Sequence, residues 1–138
     1  MGPPIDNSNA VRVDSAVLIN FQGNTGASQS RAQYGTNVTG NTAAVSLFIL
    51  RDIQTITGNT GALCISAQNI TTINGSTGTH QIIAMNIGTI TGNTGTMYIY
   101  GATVNKARAN TGDICLYNGA KVLDYDSSNT GRLRTDCP

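Results

Sequence analysis

The chain has 138 residues, 39% of them hydrophobic, with eight basic and seven acidic side chains and a formal net charge of +1. That length suits one domain, and the charge balance excludes both a charged disordered tail and the clustered positive surface of a nucleic-acid-binding protein. There is no Glu, Lys occurs only at Lys106 and Lys121, and 16 Gly accompany many Thr and Asn, so strand and turn formers outweigh helix formers and the expected class is all-β.

Residues 1–5 read as an N-terminal tail. Met1-Gly2-Pro3-Pro4-Ile5 holds no basic segment followed by an apolar core, so no signal peptide is expected. No apolar run approaches about 20 residues, so no membrane partnership is expected either.

From residue 6 to 137 a single repeat domain is expected. The tripeptide Asn-Thr-Gly, usually led by Gly, returns at Asn24, Asn41, Asn59, Ser76 (in the place of Asn), Asn93, Asn110 and Asn129, at spacings of 17, 18, 17, 17, 17 and 19 residues. A period this short means that one supersecondary unit is stacked on its predecessor.

With the residue before each Asn as position 1, a cryptic first copy starts at Asp6. The copy over 23–39 has Ser28 and Ser30 where Val or Ile is expected, which predicts an irregular coil, a loop or a contact surface. The copies opening at Gly58, Gly75 and Gly92 keep the 17-residue period, and the one opening at Gly40 has 18 residues. The copy over 109–127 carries two extra residues, placed around Lys121 to Tyr125.

Aligned copies put Val11, Val45, Leu63, His80, Met97, Ile114 and Leu133 at position 6, and Val13, Leu47, Ile65, Ile82, Ile99 and Leu116 at position 8. That alternation marks a strand with one buried face. Small residues fill position 10, Ile70, Ile87 and Val104 fill position 13, and Phe21, Val38, Ile56, Ile73, Ile90 and Ala107 fill position 16, as inward columns of further short strands.

Position 4 is Gly in most copies, including Gly61, Gly78, Gly95 and Gly112, which predicts a left-handed backbone at a corner. The Asn column at position 2 is expected to form a ladder between coils and to satisfy buried turn groups. These features resemble the β-solenoid, or β-helix, architecture, with about seven to eight coils of about 17 residues; at ~4.8 Å per coil the rod would be roughly 38 Å long. Its handedness is undetermined, because the strict hexapeptide rhythm of the left-handed acyltransferase-type helices is absent.

Catalytic groups are sparse, and no enzyme activity, cofactor or metal site is expected. His80 is the only histidine and falls in an inward column, where a packed residue is expected rather than a base. Asp124 and Asp126 form the one close acidic pair, read as surface charge. Cys64 and Cys115 share position 7 but lie three coils apart, roughly 14 Å, too far for a disulfide with each other; with Cys137 near the end, free thiols are the default. Asn37, Asn69 and Asn74 head glycosylation-type triplets that arise by chance in so Asn- and Thr-rich a chain.

Between Asp52 and Lys106 no charged residue occurs. Within that stretch and just before it, positions 15 and 17 carry Asn37 and Thr39, Thr55 and Thr57, Thr72 and Asn74, and Thr89 and Thr91. As two outward rows about 7 Å apart along the strand and about 4.8 Å apart between coils, they form a candidate flat binding face. That face resembles the ice-binding surface of insect solenoid antifreeze proteins, which implies ice binding as one expectation.

The small Gly-, Asn- and Thr-rich chain also resembles phage tail-fibre and head-fibre segments. This resemblance implies a non-enzymatic virion or extracellular fibre or decoration component, with identical chains (a trimer is favoured) and other structural proteins as its partners. Packing against identical neighbours explains an uncharged belt, since unpaired charges are costly at such an interface. A carbohydrate-binding adhesin is the further alternative, with Tyr98, Tyr100, Tyr117 and Tyr125 as its aromatic candidates. Charges at Arg12, Asp14, Arg132, Arg134 and Asp136 suit the capping of the two rod ends.

Overall fold

A computed structural model describes residues 5–7, 12–14, 17–23 and 28–135. The described chain is a β-solenoid without helices, of about six turns of about 17 residues. Its strands are β1 (Ile5–Asn7), β2 (Arg12–Asp14), β3 (Val17–Gln22), β4 (Ser28–Thr39), β5 (Val45–Thr57), β6 (Leu63–Ser66) and β7 (Asn69–Asn74). They continue as β8 (His80–Ile83), β9 (Asn86–Thr91), β10 (Met97–Tyr100), β11 (Thr103–Arg108), β12 (Ile114–Tyr117), β13 (Lys121–Val122) and β14 (Leu133–Arg134).

Strands one coil apart pair in parallel, so the order runs β13-β11-β9-β7-β5-β6-β8-β10-β12-β14, with β5 turning the corner inside one strand. The columns read from the sequence are the register: Leu63 pairs with His80, His80 with Met97, and Met97 with Ile114. Ile56, Ile73, Ile90 and Ala107 stack the same way and are fully buried. Burying one β-branched column at about 25 cal/mol per Å2 of apolar surface is what holds coil on coil.

The long strand of each coil is bent. In β7 the inward residues are Ile70 and Ile73, three apart rather than two, and β9 and β11 repeat the pattern with Ile87 and Ile90, and Val104 and Ala107. Outward positions 14 and 15 are therefore adjacent, and the backbone turns a corner between them. The coil thus has three outward faces: positions 7 and 9, positions 12 and 14, and positions 15 and 17.

Four expectations are corrected. Residues 28–39 pair as a coil rather than forming a loop, because β4 pairs with β5 at ten positions and Ser30 is buried in the position 8 column, but a register shift between Ala32 and Tyr34 makes that coil irregular. The two extra residues of the last coil are not around Lys121 to Tyr125. Thr103 pairs with Lys121 and Ala107 with Tyr125, so one extra residue lies within 118–120 and the other within 126–128. The first makes a tight turn with Asn118 and Gly119 both at positive φ and Ala120 N–H donating to the Tyr117 carbonyl at 3.0 Å.

The left-handed corner is position 1, not position 4. Gly40, Gly58, Gly75 and Gly92 have φ of 65–67°, and Ala109 adopts 57° at the same place. Position 4 needs Gly for another reason: a Cβ on Gly78, Gly95 or Gly112 would drive into the carbonyl of the glycine one coil below. Finally, Cys115 is disulfide-bonded rather than free, whereas Cys64 is an exposed free thiol. Asn24, Asp136 and Cys137 lie outside the described residues, as do the side chains of Arg12 and Asp14.

Candidate functional site

The Asn column is a buried ladder. Asn41 donates through its backbone N–H (3.0 Å) and Nδ2 (2.8 Å) to Asn59 Oδ1, and Asn93 does the same to Asn110 Oδ1 at 3.0 and 2.9 Å. Asn110 in turn donates to Asn129 Oδ1. Each remaining amide hydrogen reaches a carbonyl in a lower coil, such as Asn59 Nδ2 to Val38 O at 2.9 Å. These side chains are spent on the scaffold, and none faces solvent as a reactive group.

Ser76 interrupts the ladder: it is fully buried and its Oγ has no hydrogen-bond partner. In the same coil His80 is fully buried between Leu63 and Met97, with neither ring nitrogen hydrogen-bonded. Burial lowers its pKa below the ordinary value, partly offset by the Thr79 backbone. The imidazole is thus a packed member of the position 6 column, where the sequence places it. Asp124 and Asp126 do not act together: Asp124 reaches Lys106 at 4.0 Å, while Asp126 accepts from Ser128 N at 2.7 Å, a bond that lowers its pKa. No cluster of metal-ligating side chains occurs among the described residues.

The face of positions 15 and 17 has the expected register. Asn37, Thr55, Thr72 and Thr89 are consecutive partners in one row, and Thr39, Thr57, Asn74 and Thr91 in the other. Lys106 and Arg108 follow them in the next coil. All eight side chains are exposed or half-exposed, and both rows sit on parallel strands without a bulge between Asp52 and Arg108.

The face of positions 7 and 9 carries a feature that the column reading missed. Phe48, Ser66, Ile83, Tyr100 and Tyr117 stand one above the other, with Ser46, Cys64, Gln81, Tyr98 and Cys115 beside them. Phe48 is 46% and Ile83 50% exposed, and Leu50 and Met85 stand exposed at the edge. The small Ser66 leaves a hollow of about 280 Å3 between Phe48 and Ile83, and Arg31 covers the Phe48 ring at 5.6 Å from its centroid. Tyr100 and Tyr117 stack at 4.9 Å, and Tyr98 and Tyr117 at 6.2 Å. Burial, then the neighbouring Tyr100 and Tyr98, push the Tyr117 pKa up.

The face of positions 12 and 14 carries a second, exposed ladder, also unforeseen. Asn86 Nδ2 donates to Asn69 Oδ1 at 3.0 Å, and Asn69 Nδ2 to Asp52 Oδ1 at 2.8 Å. Only the alignment of Asp52, Asn69 and Asn86 at one repeat position could have signalled it. Tyr125, the remaining aromatic candidate, is committed elsewhere: its hydroxyl donates to the Gly131 carbonyl at 2.6 Å, and burial raises its pKa.

The chain matches no protein-family model, no curated protein and no solved structure. The β-solenoid fold therefore rests on the coil register itself.

Proposed function

We propose that this chain is a non-enzymatic structural protein, a fibre or decoration component of a virion or extracellular assembly that works by side-to-side packing of identical rods. The observation that carries this reading is the apolar stripe of Phe48, Ile83, Tyr98, Tyr100 and Tyr117 on one face, within and beside the uncharged stretch between Asp52 and Lys106. Apolar side chains gathered on one partly exposed face, broken only at Ser66, mark a candidate interaction surface. Three rods with this face turned to a common axis would shield it from water, and the alternation of small Ser66 with bulky Phe48 and Ile83 provides holes and knobs for it.

Native mass measurement at micromolar concentration tests the reading. A trimer in the parent that falls to monomer in Ile83→Asp is the expected result. A parent that stays monomeric overturns it.

A second reading, ice binding, is favoured by one observation: the two uninterrupted rows of Thr and Asn at positions 15 and 17. It predicts thermal hysteresis that is lost in Thr89→Leu. Absence of hysteresis in the purified chain removes it.

A further inference from the structure

The face of positions 12 and 14 is neither the apolar stripe nor the Thr rows, and near its lower end it opens into a hollow of about 360 Å3. Its lining side chains are Tyr34, Thr36, Asp52, Gln54, Asn69 and Thr71, contributed by β4, β5 and β7 in register. The volume lies at the lower end of the range of small-ligand sites, about 300–1,000 Å3.

The chemistry of that lining is selective. Tyr34 is 40% exposed and offers one aromatic ring with a hydroxyl tip. Around it stand one carboxylate, two carboxamides and two hydroxyls, which supply donors and acceptors in near-equal number. Among the described residues no Lys or Arg lines the hollow, so a phosphate or other anion finds no counter-charge there. One carboxylate is too few for a calcium site of six to eight oxygens. An aromatic ring beside paired planar acceptors and donors matches a ligand with an apolar face and a rim of hydroxyls.

The lining is also held in place. Asn86 fixes Asn69, and Asn69 occupies Asp52 Oδ1, so the carboxylate is oriented and its other oxygen is left for a ligand. The backbone beneath is a parallel ladder with buried Ile53 and Ile70 as its floor. Polar side chains fixed before binding cost less to order on binding.

We propose that this hollow is a binding site for a neutral pyranose, the ring stacking on Tyr34 and vicinal hydroxyls bonding Asp52 and Asn69. The site is proposed to bind rather than cleave, because glycoside hydrolysis uses a pair of carboxylates and Asp52 is the one carboxylate among the described lining residues. The hollow shares no lining residue with the one on the apolar stripe.

The test is saturation-transfer NMR of the full chain with D-glucose, D-galactose, D-mannose and N-acetylglucosamine, followed by titration of side-chain amide shifts. At least one sugar is expected to bind in the millimolar range and to shift the Asn69 and Gln54 amides. Tyr34→Ala and Asp52→Asn are expected to weaken binding at least about tenfold, while Tyr98→Ala leaves it unchanged. Asp52→Asn retains an acceptor for Asn69, so its fold is preserved, and circular dichroism checks Tyr34→Ala. No transfer from any of the four sugars at about 50 mM ligand, well above a millimolar Kd, or unchanged binding in both lining variants, overturns the proposal.

Discussion

Asn93 accepts the backbone N–H of Ser76 through Oδ1 at 2.9 Å, yet Ser76, one coil below, returns no such bond to Asn59. Among the described residues the ladder is therefore broken between Asn59 and Asn93, with a buried, unbonded hydroxyl at the break. Ser76→Asn places an Oδ1 where Asn59 needs one and an Nδ2 within reach of Asn93. We expect a gain of about 1 kcal/mol and a rise in Tm of about 3–5 °C, read by thermal denaturation. Asn93→Ala strips the acceptor from Ser76 and the donors from Ile73 and Thr91, and should cost roughly 2–4 kcal/mol.

His80 makes stability depend on pH in a definite direction. Its folded pKa lies below 6.5, so just below pH 6.5 the unfolded chain takes up a proton that the folded chain refuses. Stability is complete above about pH 6.5 and falls as pH drops through that value, by at most about 1.4 kcal/mol per unit, until the folded pKa is reached. With no Glu and one His, few other groups titrate between pH 5 and 7. Urea unfolding of His80→Leu should show a flat profile over that range and greater stability at pH 5. A parent profile that is already flat would contradict this account.

Two neighbouring corner positions should respond oppositely to the same pair of residues. Gly95→Ala pushes a Cβ against the Gly78 and Thr77 carbonyls and should cost about 3 kcal/mol, because the coils must separate. Ala109→Gly relieves a left-handed backbone at φ 57° and should gain up to about 1 kcal/mol. Denaturant midpoints of the two variants measure both.

The Cys115 disulfide should stabilise the C-terminal coils. Reduction is expected to lower stability by about 2–4 kcal/mol, with loss concentrated in β12 to β14 as read by hydrogen exchange. Cys64→Ser, at an exposed free thiol, should leave stability unchanged.

The columns at positions 6, 8, 13 and 16 were legible because a stacked coil demands the same kind of residue every 17 places. Their pairing follows directly, as Ile73 against Ile90 illustrates. The corner glycines were legible as glycines but not as to cause, since φ at Gly92 and crowding at Gly95 leave the same letter in the sequence. The places of the extra residues in the last coil are not legible from spacing, because only the pairs Thr103 with Lys121 and Ala107 with Tyr125 fix where a bulge sits; the Asn118-Gly119 dipeptide is the local turn signal for the first of them.

The sequence by itself determined the repeat, the inward columns and the Asn ladder, because each depends on identity between residues one period apart. Only the tertiary structure decided how outward residues are divided among three faces. That division depends on where the backbone turns within a coil, between positions 14 and 15, and the two-residue alternation of a strand restarts there. The apolar stripe around Ser66 and the hollow beside Tyr34 both follow from those turns, since they join residues of successive coils that no local pattern links.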